Sequence, residues 1–175
     1  MKIVIRNRIF APPYIRQCFY DDYGGLDYRN KTVLDVGADW GCTAKFFLSE
    51  GARSVIAVEK NKRFAIQLFL YSLYERRVKA IRMNVSRKEN FISLFRRYRP
   101  DIVKLDCEGG ERYLLDADDA TFNCIPEYVM EVHGKNLRNR FIRRFRHNGY
   151  SIIKDYWLRE NLWIIQAERK RRRAK

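Results

Sequence analysis

Asp35, Gly37 and Gly41 stand in a D-x-G-x-x-x-G spacing within TVLDVGADWG, residues 32–41, and Glu59 closes the next apolar run, SVIAVE. A glycine pair of this kind lets the backbone approach a bound molecule, because no Cβ stands in the way. A dinucleotide loop would read G-x-G-x-x-G, yet the third position of that pattern is Asp39, whose carboxylate would repel a pyrophosphate. The loop therefore suits a cofactor without phosphates. Glu59 lies about 20 positions on, where an acidic side chain accepts hydrogen bonds from ribose hydroxyls.

Two later stretches carry further groups capable of chemistry. DIVKLDCEGGERYLL, residues 101–115, contains Asp106, Glu108 and Glu111, and EYVMEVHG, residues 127–134, contains Glu131 and His133. Glu131 and His133 are two apart and share a face if the strand stays extended. His133 titrates near neutrality and is a candidate to take a proton from an acceptor hydroxyl, or else to bond the adjoining loop. Glu111 falls in the first turn of the next predicted helix, where a carboxylate offsets the helix dipole. His147, in RNRFIRRFRHNG, reads as a solvated surface residue. A magnesium site on these carboxylates is an alternative, but no spacing of histidine or asparagine compels one, and no metal is expected.

These groups need elements to hold them. Residues 32–36, 53–58, 78–83, 101–105, 126–132, 150–155 and 161–167 read as strands, with helices between the first six. The last two are joined by too few residues for a crossover helix and should pair antiparallel. Strands alternating with helices predict an α/β, Rossmann-like sheet, mostly parallel, whose ligands bind at the carboxyl ends of the strands. Before it, residues 2–30 read as a short strand and a helix-like YIRQCFYDDY, with Pro12, Pro13, Gly24 and Gly25 as punctuation. The expected organisation is an N-terminal extension, 1–30, packed on a core of 31–168, with a basic tail, 169–175.

TVLDVGADWG resembles motif I of the class I S-adenosyl-L-methionine (SAM) methyltransferases. Residues 101–111, D-x-V-K-x-D-x-E-G-x-E, resemble the FkbM-like members, which commonly methylate oxygen. With VIAVEKN and EYVMEVHG the likeness covers about residues 31–134, and Cys107 departs from the apolar or small residue usual there. The resemblance implies a class I methyltransferase fold with strand order 3-2-1-4-5-7-6. It also implies SAM contacts from Asp35, Gly37, Ala38, Asp39, Trp40, Gly41, Glu59, Lys60 and Asp106, and an adenine contact from Asn84. Trp40 is expected to pack over the cofactor or to cover the core. Asp106 would hold the cofactor's ammonium or orient the acceptor, with Glu108 and Glu131 as further catalytic candidates beside His133.

Methyl transfer needs few catalytic groups, because aligning acceptor, methyl and sulfur supplies much of the rate. No N/D-P-P-Y/F follows the fourth strand, which argues against exocyclic base amines and for an aliphatic or sugar hydroxyl. Charge pulls the other way: the 175 residues carry 36 Lys and Arg against 21 Asp and Glu, a net +15. Arginines at 96, 97 and 99, those at 138, 140, 143, 144 and 146 beside Phe141 and Phe145, and the tail RKRRRAK together suit an RNA surface. A pair of solvated helices with a disordered tail, or adaptation to heat or base composition, is the alternative reading of the same charge. The expected partners are thus a small-molecule or saccharide acceptor or, alternatively, RNA, either as substrate or as ligand of a catalytically inactive module. The four cysteines form no C-x-x-C pair and read as reduced thiols. The lack of an apolar leader or spanning segment predicts a cytoplasmic protein.

Overall fold

The computed structural model describes residues 19–169. Seven strands form one sheet: β1 (Thr32–Val36), β2 (Ser54–Glu59), β3 (Val78–Arg82), β4 (Ile102–Leu105), β5 (Glu127–His133), β6 (Tyr150–Arg159) and β7 (Leu162–Arg169). Their order, β3-β2-β1-β4-β5-β7-β6, is the one implied by the resemblance. The first five are parallel, and β7 runs antiparallel to both β5 and β6. The helices are α1 (Cys42–Ser49), α2 (Lys62–Tyr74), α3 (Lys88–Tyr98), α4 (Asp119–Asn123) and α5 (Lys135–His147). All five residues of β1 are buried, as a central strand covered on both faces requires.

Each face of the sheet has its own core. On one, Phe91 and Phe95 of α3, Phe122 of α4, and Phe141 and Phe145 of α5 pack on Leu34, Val103 and Met130. On the other, Phe46 and Phe47 of α1 and Leu68 of α2 meet Tyr23 and Tyr28, so residues 19–30 are built into this layer. Residues 19–23 are helical, in keeping with the end of the helix-like segment; the short strand expected before it lies outside the described residues.

Three local expectations are corrected. The helix expected after β4 is a 3-10 helix, Gly110–Asp116, followed by the short α4, because the Asp118 carboxylate caps a new start by accepting from Thr121 N at 2.6 Å. β6 continues to Arg159, lengthened by register shifts at Ile152/Lys154 and Trp157/Arg159. Phe141 and Phe145 are fully buried and do not interleave with the arginines at a surface. Their spacing of four is that of a helix's core stripe.

Candidate active site

A cleft of 520 Å³ opens at the carboxyl ends of β1, β2 and β4, lined by Gly37, Asp39, Glu59, Asn84, Asp106 and Glu108 among others. The volume is that of an ordinary small-molecule site. Gly37 has φ +80°, and a Cβ there would fall 1.6 Å from the Asp106 carbonyl oxygen, so only glycine allows the two loops to touch. The Glu59 carboxylate accepts from Asp39 N at 3.0 Å and from Asn61 N at 2.6 Å, which fixes the wall facing the loop. Burial, reinforced by the Glu59 carboxylate, raises the Asp39 carboxyl above its ordinary value.

Beneath the loop lies a charge cluster that sequence reasoning missed. Lys104 of β4 pairs in register with Asp35 of β1, and both side chains are fully buried. The Lys104 ammonium lies 3.1 Å from Asp35 Oδ1 and 3.6 Å from Asp106 Oδ2, and donates to the Gly37 carbonyl at 2.8 Å. Burial works to strip its proton, but the Asp35 and Asp106 carboxylates outweigh that and hold its pKa above the ordinary lysine value. The Thr43 hydroxyl donates to Asp35 Oδ2 at 2.6 Å. Asp35 therefore serves as a buried counter-ion below the cleft and is not among the residues lining it.

His133 ends β5, three residues beyond Met130, the last residue paired with β4. Its Nδ1 lies 3.0 Å from Glu111 Oε1, and its backbone N–H donates to the same oxygen at 3.1 Å. Glu111 is fully buried, and the Cys107 thiol donates to its other oxygen at 3.7 Å. Glu111 stands in the first turn of the 3-10 helix, as expected, and in addition holds the imidazole. The Glu111 hydrogen bond raises the His133 pKa above 6.5 against the effect of burial, with Glu108 and Asp106 adding to the rise. Glu111 is held below its ordinary value by His133, although burial opposes this. With Nδ1 committed, Nε2 is the nitrogen left for an acceptor.

Glu131 accepts from the Tyr23 hydroxyl at 2.5 Å, and the Tyr23 ring lies over the Lys104 ammonium, 5.6 Å from centroid to nitrogen. Burial, then the Asp106 carboxylate, raises the Glu131 pKa. No local pattern in the sequence could link Tyr23 to Glu131, 108 positions away.

Of the residues singled out in the sequence, Gly37, Asp39, Glu59, Lys60, Asn84, Asp106 and Glu108 line the cleft together. Ala38 is buried and donates its N–H to the Val58 carbonyl, and Gly41 precedes α1 in a left-handed conformation. Both shape the turn from behind. Trp40 is 55% exposed in the loop between Asp39 and Gly41, so it does not cover the core.

Much of the basic sequence lies elsewhere. A helix that follows a parallel strand starts at the cleft edge and ends at the opposite one, so Arg96 and Arg97 in the last turn of α3, and Arg144, Arg146 and His147 in that of α5, sit away from the cleft. There they complement the helix dipoles. Arg169, the root of the tail, bonds the Pro126 carbonyl at that same far edge. Arg144 is bound to Asp119 and the Ala117 carbonyl, and Arg138 to Asp155, while Arg140, Arg143 and Arg146 are exposed.

No family model matches the chain. Solved structures share its fold. The fibrillarin of Aeropyrum pernix, crystallised with natively bound S-adenosyl-L-methionine, superposes with a TM-score of 0.63 at 14% identity, covering 88% of this chain and 73% of its own. The precorrin-6y C5,15-methyltransferase of Geobacter metallireducens gives 0.61 at 16%, covering 94% and 93%. The fold is that of the class I methyltransferases. Among curated sequences, uncharacterized protein 65 of Sulfolobus islandicus filamentous virus (isolate Iceland/Hveragerdi) is 33% identical over 96 residues, 53% of this chain and about half (54%) of that protein's length. Uncharacterized protein 158B of Sulfolobus islandicus rod-shaped virus 1 is 31% identical over 120 residues, 68% of this chain and 70% of that protein. With that identity over that share of both lengths, the chain belongs to the family of the rod-shaped virus protein 158B.

Proposed function

We propose that the protein is a SAM-dependent methyltransferase that methylates a hydroxyl oxygen of a small acceptor such as a saccharide. The observation that carries this reading is the carboxylate-lined cleft beside a loop at Gly37 that admits no side chain. Its walls suit a ligand bearing a ribose and positive charge, and they disfavour one bearing phosphates. Glu59 would accept from the ribose hydroxyls, Asn84 would meet the adenine, and Asp106 would face the ammonium or orient the acceptor. The likeness of residues 101–111 to FkbM-like enzymes supports oxygen as the methylated atom.

SAM, when bound, supplies a methyl group on a sulfonium, already an excellent leaving group. His133 Nε2 would take the proton of the acceptor hydroxyl as methyl is transferred from the cofactor, with Glu111 holding the imidazole by Nδ1. A positioned base of this kind contributes roughly two to four powers of ten. An RNA acceptor draws on the net charge of +15; Arg96, Arg97, Arg144 and Arg146 sit at the far edge of the sheet, whereas Arg138 and Arg140 lie in the cleft-side half of α5. A five-residue strand, roughly 17 Å, separates the edges, so the four far-edge arginines are poorly placed to hold a phosphate chain against the cleft.

The test begins with calorimetric titration. SAM binds and NAD does not bind comparably, and saturation at about 100 times the Kd raises stability by roughly 2.7 kcal/mol. NAD binding without SAM binding overturns the cofactor. Transfer of label from methyl-labelled SAM into cell fractions, with and without ribonuclease, then tests the acceptor; label lost on ribonuclease treatment overturns the small-hydroxyl reading.

A further inference from the structure

We propose that α2 is the interface of a two-fold dimer of this chain. Ala65 and Leu68 turn inward and are buried, as one apolar face of a helix on a sheet must be. Yet Ile66, Phe69, Leu70 and Leu73 on the other side are also apolar and stand exposed, with Tyr74 beside them. At helical spacing these four fall within an arc of about 100°. A helix apolar on both sides is normally buried on both sides.

The occupant must be as uncharged as the stripe. From Phe64 to Tyr74 there is no charged residue, in a chain where a third of all residues are charged. That disfavours a phosphate backbone lying along the stripe, which requires cations there. Pairing through the neighbouring sheet edge is also disfavoured: among the described residues β3 pairs only with β2, and it carries the exposed Lys79 and Arg82, which blunt an edge strand.

A second copy supplies the missing surface. Phe69 is 54% exposed, Leu73 60% and Tyr74 67%. Side chains of this size offer roughly 150–250 Å² each, so the half-exposed stripe presents roughly 500 Å² per copy. Two copies bury roughly 1,000 Å² in total, about the area a specific interface needs. Lys62 and Arg63 begin the helix, and Arg76 and Arg77 follow it. Helices lying side by side would crowd these cations. Crossing at about 50°, with the ridges Ile66–Leu70 and Phe69–Leu73 interdigitated, keeps the ends apart and the apolar centre in contact. An isologous pair of this kind closes on itself and leaves no stripe exposed.

Sedimentation velocity on the full chain across the micromolar range tests the proposal. Wild type sediments as a dimer, whereas Phe69→Glu and Leu70→Glu sediment as monomers with an unchanged circular dichroism spectrum, because both positions are exposed. Arg97→Glu on α3 stays dimeric. A wild type that remains monomeric throughout the range overturns the proposal, whether its own residues 1–18 cover the stripe or it instead sediments with lipid vesicles. A dimer that survives both glutamate substitutions overturns it too, since the interface then lies elsewhere.

Discussion

Lys104→Met removes the positive charge from the floor of the site while keeping most of its apolar volume. In the folded chain the ammonium is fully buried, 3.1 Å from Asp35 Oδ1. At an effective dielectric constant near 20, that contact alone is worth about 5 kcal/mol of Coulomb energy, before desolvation of the two ions is set against it. Methionine leaves the Asp35 carboxylate with the Thr43 hydroxyl and takes the donor from the Gly37 carbonyl. Breaking a buried pair from one side costs about 3–5 kcal/mol. In a chain of this length each kcal/mol moves Tm by about 2–4 °C, so a fall of about 6–20 °C is expected. Differential scanning calorimetry at pH 7 measures it, alongside Asp35→Asn and the double variant. The double variant should lose less than the sum of the singles, by about 1–3 kcal/mol, because it leaves no buried charge unpaired. Strict additivity, or a single-variant loss below about 1 kcal/mol, would refute the account of Lys104 as the ion that holds the loops.

The His133–Glu111 pair makes both rate and stability depend on pH. Because His133 titrates above 6.5 in the fold, its basic form and hence turnover should grow as pH rises beyond that value, and Glu111→Gln should shift this limb to lower pH. Its contribution to stability has the opposite sense: it is complete below pH 6.5 and lost as pH rises through the raised pKa. That of Glu111 is complete above 4.5 and lost as pH falls through its lowered pKa, so the pair stabilises fully only between about 4.5 and 6.5. Melting curves across pH, compared with His133→Ala, check both signs. Glu59→Ala should weaken SAM binding about 10- to 100-fold, the loss of one or two hydrogen bonds to a charged acceptor, as read by calorimetric titration. It should also lower stability by about 1–3 kcal/mol, since the N–H groups of Asp39 and Asn61 lose their acceptor.

The parts of the fold that were readable were those in which neighbours along the chain decide the outcome. TVLDV and SVIAVE are short apolar runs ended by a glycine or a charge, and each forms a buried parallel strand. The cleft-lining set from Gly37 to Glu108 follows, because strand ends and ligand edge coincide in this topology. What remained hidden depends on pairings across the sheet. Asp35 reads as a cofactor residue until β4 is set beside β1, which brings Lys104 opposite it. Glu111 looks like a dipole residue until β5 delivers His133 to the same place, and Tyr23 carries no sign of Glu131. The alternation of arginine with Phe141 and Phe145 misleads for a different reason: an amphipathic helix places cations and core side by side in sequence and on opposite sides in space.

The contact between Gly37 and Asp106 has a mechanical consequence. Asp106 N donates to the Val36 carbonyl at 2.9 Å, Lys104 ties the Gly37 carbonyl from below, and no methyl group would fit between the two loops. They move as one body. Beyond them the chain turns sharply through Glu108 and Gly109, both at positive φ, and Gly109 has open space where a side chain would be. On the proposed function, freedom to admit an acceptor would be confined to the outer turn, while the Asp106 backbone stays tied to Val36 and Gly37. On that reading the position of Asp106 is settled when the chain folds, and the entropy of placing it would not be charged to each turnover.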